Sequence, residues 1–124
     1  MKRIFCLMVV LTFIASLGFA QKAATGIKVV TFKGDIIDNM CAGSQKREGL
    51  AAFVKMHTKG CALMPACKAS GYLLYSNGKL IKFDKESNAK IAEFLKKPDS
   101  KLAVVAEIKE GREGITLVSI KNQE

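Results

Sequence analysis

The chain has 124 residues, 49% of them hydrophobic, and carries 20 Lys and Arg against 11 Asp and Glu for a net charge of +9. That balance excludes a disordered or low-complexity polypeptide and suits a small folded domain with a modest core. The basic residues are spread along the chain, so the charge fits a solvated, lysine-rich surface better than a dense block for polyanions.

Lys2 and Arg3 open the sequence, followed by an apolar run from Ile4 to Ala15 and a small-residue exit, Gly18-Phe19-Ala20, before Gln21. This pattern predicts an export signal over residues 1–20 and a single domain over residues 21–124, exported and either periplasmic or secreted. The run is too short, and gives way to polar residues too abruptly, to span a membrane well, so no span is expected in the mature chain. Cys6 lies early in the run rather than at a cleavage point, which argues against lipidation there.

Ile27 to Asp38 is rich in β-branched residues and reads as a long strand, with Val30, Phe32, Gly34 and Ile36 on one face. Gly34 in its middle predicts a bend or bulge. Arg47 to His57 reads as a helix whose apolar face is Leu50, Phe53, Val54 and His57, and Cys61 to Ala69 as a short second helix with Pro65 near its start. Tyr72 to Tyr75 and Leu80 to Phe83 flank Asn77-Gly78, a strong hairpin signal because both turn residues must take positive φ. Glu86 to Lys97 is an amphipathic helix ended by Pro98, with Ile91, Phe94 and Leu95 facing inward. Leu102 to Ile108 and Ile115 to Ile120 complete a second hairpin across the Gly111 to Gly114 turn.

Five strands with a helix between the third and fourth follow the chain order of an OB-fold. The expected fold is therefore mainly β with helices: a five-stranded OB-like β-barrel with a helical Cys/His insertion between strands 1 and 2. An open α+β sheet with its helices on one face is the alternative.

The chemistry concentrates in that insertion. Beyond the leader, every cysteine, the only histidine and every methionine fall between Met40 and Cys67: Met40, Cys41, Met56, His57, Cys61, Met64 and Cys67. Cys41, His57, Cys61 and Cys67 make a complete Cys3His set, suited to zinc. His57 and Cys61 are four apart, so a continuous helical turn would put them on one face. The three methionines tilt the choice toward Cu(I), which prefers thiolate and thioether donors, although methionine is more often core filler. Zinc or copper is thus the expected cofactor. The competing expectation is a structural or interaction module whose cysteines form one loop-stapling disulfide, leaving a third thiol over. Asp38, three residues before Cys41, is expected to cap a turn there, or to orient His57.

The pattern Gly34-x-Ile36-x-Asp38-x-x-Cys41, then His57-x3-Cys61-x5-Cys67 and a Gly71-led hairpin, resembles a group of small exported bacterial domains of unknown function. The resemblance covers the chain from about Gly34 onward. It implies an OB-like, β-rich fold and no particular activity. Neither a protease signature nor an oxyanion loop accompanies the Cys-His pair, and there is no C-x-x-C or C-x-x-C-H, so nothing calls for an enzyme or for covalent haem. Nucleic acid is not an expected partner. Tyr72, Tyr75 and Phe83 are the only placed aromatic platforms, and alternation puts the two tyrosines on opposite faces. A metal ion or small ligand is the expected partner.

Overall fold

Among the described residues, alternating apolar residues and the two glycine-bearing turns build five strands, and the intervening polar, Gly- and Pro-punctuated stretches build five helices. In chain order these are β1 (Val29–Asp38), α1 (Asn39–Gly43), α2 (Arg47–Met56), α3 (Lys59–Ala62), α4 (Pro65–Ser70), β2 (Tyr72–Ser76), β3 (Lys79–Lys82), α5 (Lys85–Lys96), β4 (Ala103–Gly111) and β5 (Gly114–Asn122). The computed structural model describes residues 26–111 and 114–124. The expected leader, residues 1–20, and the expected mature start near Gln21 lie outside them. No helix among the described residues is long and apolar enough to cross a membrane.

The strands form one antiparallel sheet in the order β3-β2-β1-β4-β5. β1 is its axis. The first part of β1, Val29 to Asp35, pairs with β4, and the last part, Asp35 to Asp38, pairs with β2. Gly34 sits where the second partner joins. A Cβ there would come 2.3 Å from the carbonyl oxygen of Tyr75, so the glycine serves a close backbone approach rather than the expected bulge. The register shift lies elsewhere, between Glu107 and Ile108 in the β4–β5 pairing. Asn77 and Gly78 both take positive φ, 49° and 75°, as the two-residue hairpin between β2 and β3 demands.

The expected OB-like barrel is corrected to an open sheet. Its edges, β3 and β5, meet only at an isolated bridge between Phe83 and Ile115, with the Asp84 amide donating to the Ile115 carbonyl at 3.0 Å. β3 has four residues and then turns into α5, so it is too short to carry a closing ladder. The helices, moreover, cover both faces. Ile36, Leu74, Val104, Ala106 and Leu117 pack with Ile91, Phe94 and Leu95 of α5. On the opposite side, Ile37 and Leu73 pack with Ala42 of α1 and with Leu50 and Val54 of α2. Successive residues of β1 thus feed two separate cores, and the tyrosines divide likewise: Tyr72 joins the α5 core and Tyr75 the α2 core.

α5 is tied to the sheet through its cap. One carboxylate oxygen of Asp84 accepts from the Ser87 amide (2.8 Å) and the other from the Thr116 hydroxyl (2.6 Å). Bonds from Ser87, and next from Thr116, hold the Asp84 carboxyl below its ordinary range. Asp84→Ala should lower stability by about 1–2 kcal/mol, as measured by urea unfolding at neutral pH. A folded pKa below the unfolded value means that this contribution is present above the unfolded carboxyl pKa. It is lost as the pH falls through the folded one. The difference between wild type and variant should therefore shrink in acid, and a constant difference down to strongly acidic pH would refute the assignment.

Candidate metal centre

β1 ends at Asp38, and the end is built by that side chain. Asp38 is fully buried. Its Oδ1 accepts from the Cys41 amide at 2.9 Å, capping α1, and this starts the helical turn that carries Cys41 back over the strand end. The five residues of α1 are too few to show periodicity, and the sequence does not announce this helix. α2 then runs to Met56 and stops with His57 as its C-cap.

The expected continuous turn from His57 to Cys61 is broken. Thr58 adopts an extended conformation and its hydroxyl accepts from the Cys61 amide at 3.2 Å, so a new short helix, α3, starts between the two. His57 and Cys61 therefore do not share a helical face. Pro65 opens α4 in its first turn, as anticipated, and α4 delivers Cys67 to the interior.

These short pieces bring three sulfurs and one carboxylate together. One ligand atom from each of Asp38, Cys41, Cys61 and Cys67 lies within 4.8 Å of the others, an arrangement that could hold a metal ion. The Cys41 and Cys61 sulfurs are 3.6 Å apart, and all three cysteines are free. A disulfide would need about 2.05 Å. Two thiolates on one tetrahedral zinc, with Zn–S bonds near 2.3 Å, stand about 3.8 Å apart, so the observed hydrogen-bonded spacing rules out a disulfide and is compatible with shared ligation.

His57 belongs to the site but not to this set of four. Its side chain is buried beside Asp38, with Nε2 at 3.1 Å from Asp38 Oδ2. Its Nδ1 is buried without a hydrogen-bond partner, and its ring lies 5.9 Å from that of Phe53. Of the four residues picked from the sequence, Cys41, Cys61 and Cys67 converge directly and His57 reaches them through Asp38. Asp38 is the member that the sequence offered only as a cap or as a partner for histidine. It does both jobs and also presents an oxygen to the sulfurs. The spacing Asp38-x-x-Cys41 was the available signal, because a capping aspartate and the residue three on are necessarily close.

The surroundings favour the protonated form of Cys41 and Cys67. Burial, then the hydrogen bond with Cys61, then the Asp38 carboxylate push the Cys41 thiol far above its ordinary range. Burial and the Asp38 charge push Cys67 up as well. Tyr72, whose hydroxyl donates to the Ala62 carbonyl at 2.8 Å, is raised to about 12, chiefly by burial and then by Asp38. Such a site disfavours bare thiolates and rewards a cation that replaces their protons.

No family model, curated protein or solved structure matches the chain.

Two outcomes follow from this geometry. In reduced, metal-free protein at pH 8, Cys41 and Cys67 should react with iodoacetamide much more slowly than free cysteine, because little thiolate is present. Residue-resolved mass spectrometry checks this, and reaction as fast as the free amino acid would contradict it. Asp38→Ala should destabilise the fold by about 3 kcal/mol or more, since it removes the α1 cap and leaves a buried imidazole unpaired. Asp38→Asn should be milder, because asparagine caps as well. Equal stability of wild type and Asp38→Ala in urea unfolding would show that the carboxylate holds nothing together.

Proposed function

We propose that this protein is a small exported domain that binds a transition-metal ion, zinc or copper, through Cys41, Cys61, Cys67 and Asp38. The observation that carries the proposal is the convergence of three free thiols and a buried carboxylate, with two of the sulfurs 3.6 Å apart. Metal ligands are held by outer hydrogen bonds, and here the Asp38 carboxylate is steadied by the Cys41 amide and by His57. His57 acts through Asp38 as a positioning residue. The bound ion takes the place of the thiol protons, which pass to solvent.

Export rests on the leader-like pattern before Gln21 and on the resemblance to small exported bacterial domains. Beyond the expected leader three cysteines remain, and an exported thiol left over from a disulfide needs either burial or a ligand. An OB-like ancestry of the sheet is favoured by its strand order and by the Phe83–Ile115 approach of its edges. The competing function, a structural module stapled by one disulfide, has one observation in its favour. Cys41 and Cys61 are the sulfur pair that oxidation would join, leaving Cys67 buried and free.

Native mass spectrometry with elemental analysis separates the two. Protein recovered from an extracytoplasmic fraction should carry close to one metal ion per chain and three reduced cysteines. Chelator should lower its melting temperature, and Cys67→Ser should abolish retention of the ion. His57→Ala should weaken binding by about 10- to 100-fold, as loss of an outer partner does. A metal-free protein that has lost two thiol protons, insensitive to chelator and unaffected by His57→Ala, would establish the disulfide module instead.

A further inference from the structure

The four converging donors are of two kinds. Cys41, Cys61 and Cys67 offer soft sulfur and Asp38 offers hard oxygen, with one ligand atom from each within 4.8 Å of the rest. The carboxylate is a full member of that group, because the Cys41 and Cys67 thiols both engage it. Its two oxygens carry about four lone pairs, and two of these are in use. Oδ1 accepts from the Cys41 amide, and Oδ2 faces His57 Nε2. One oxygen can therefore still bind an ion. With both oxygens anchored, it would do so through a single bond.

A mixed set of three sulfurs and one oxygen selects among ions. A soft monovalent ion has little use for a carboxylate, and a hard divalent ion such as Mg(II) or Ca(II) has little for thiolates. Zn(II) is borderline, accepts both, and is satisfied by four ligands in a tetrahedron. Three thiolates and a singly bonded carboxylate fill that shell and leave no position for water. A catalytic zinc keeps such a position open, and a structural zinc does not.

The surroundings agree with a closed site. Asp38 is fully buried and Cys67 is buried. Next to Cys41, Ala42 belongs to the core shared with α2; next to Cys61, Ala62 belongs to the core shared with α5. The donors thus gather where the two cores approach each other, and they come from four elements: the end of β1, α1, α3 and α4. α1 has five residues, α3 four and α4 six, lengths at which a helix has little stability of its own.

Resting on the metal-binding function above, we propose that the centre is a closed, four-coordinate Zn(II) site with Asp38 as its oxygen ligand, and that the ion is a clasp joining the helices of the insertion across the two cores. Zn(II) enters without change of oxidation state. It sheds its bound water, the three thiol protons leave to solvent, and the Asp38 carboxylate stays ionised throughout. Loading then orders α1, α3 and α4 around the strand end, since metal binding to such a site is coupled to local folding.

The test uses purified, reduced, metal-free protein kept anaerobic and titrated with Zn(II), and separately with Co(II) as a coloured stand-in. X-ray absorption of the zinc-loaded wild type should show three sulfurs at about 2.3 Å, one oxygen at about 2.0 Å and no further ligand. Co(II) should give the intense visible bands of a tetrahedral site, bleached by one equivalent of Zn(II). Asp38→Asn keeps the α1 cap but replaces the carboxylate by a poor ligand, so it should shift those bands and weaken Zn(II) binding about tenfold or more. Hydrogen exchange should slow on loading in residues 39–71 and stay unchanged in β4 and β5. Imidazole scattering in the zinc spectrum, a shell of five or six ligands, or cobalt bands unmoved in Asp38→Asn overturns the closed site and leaves metal binding standing. Exchange in residues 39–71 that ignores zinc overturns the clasp in the same way. Failure to bind either ion, or binding unchanged in Cys41→Ser/Cys61→Ser/Cys67→Ser, overturns the metal centre and this inference together.

Discussion

A buried carboxylate at the end of the central strand governs the rest of this molecule. Asp38 is the last residue of β1, it is fully buried, and it faces two obligations that burial makes strict. A buried charge must be hydrogen-bonded or paired, and a helix start must have its first amides satisfied. Asp38 meets both at once through the Cys41 amide and His57. The first bond fixes where the chain leaves the sheet. The second fixes where α2 must end, twenty residues of chain having returned to the same spot.

The remainder of the insertion is pinned around that point from several directions. Asn39 donates to the Ser70 carbonyl at 2.7 Å, and its amide to the Gly71 carbonyl at 2.9 Å, so the entry and exit of the insertion are fastened together. Lys59 of α3 donates to the carbonyls of Lys97 and Pro98 beyond the last turn of α5, where a cation is welcome. Tyr72 reaches from the start of β2 to the Ala62 carbonyl. α2 packs on one face of the sheet while Ala62 of α3 joins the core on the other. The insertion therefore straddles the end of the sheet, and the three sulfurs gather at that margin, one of them buried and two partly open.

The elements with strong periodic or turn chemistry were legible in the sequence. The strands around Asn77-Gly78, the α5 helix before Pro98 and the α2 face of Leu50 and Val54 all announce themselves locally, and the structure places them within a residue or two. Closure of the sheet was not legible. It depends on whether β3 is long enough to reach β5, a matter of where Asp84 caps α5, and strand order alone is silent on that. In the site, residue type picked out the thiols and the imidazole, because few side chains carry such donors. The break at Thr58 and the short α1 were hidden, since each rests on a single side-chain cap rather than a repeat. The weight carried by Asp38 was hidden for a related reason. A capping aspartate and a ligating one look alike until burial is known. The exposure of the methionines ran against their usual habit, which only the folded chain could reveal.

The incomplete meeting of the sheet edges bears on what each edge offers to a neighbouring chain. An unpaired strand edge is a template on which a neighbouring chain can add a strand. Here β3 offers four residues with a lysine at each end, and a second chain aligning there would have to strip water from both ammonium groups. At Phe83 and Asp84 the two edges cover each other, so one end of β5 is already occupied by its own molecule. Along the rest of β5, Lys121 again places a charge on the strand, next to the Asn122 side chain, which is engaged with Lys101 and Asp99. A sheet that stops short of becoming a barrel thus carries charge or its own chain at the ends of its open edges, while Val118 stays exposed in the middle of β5.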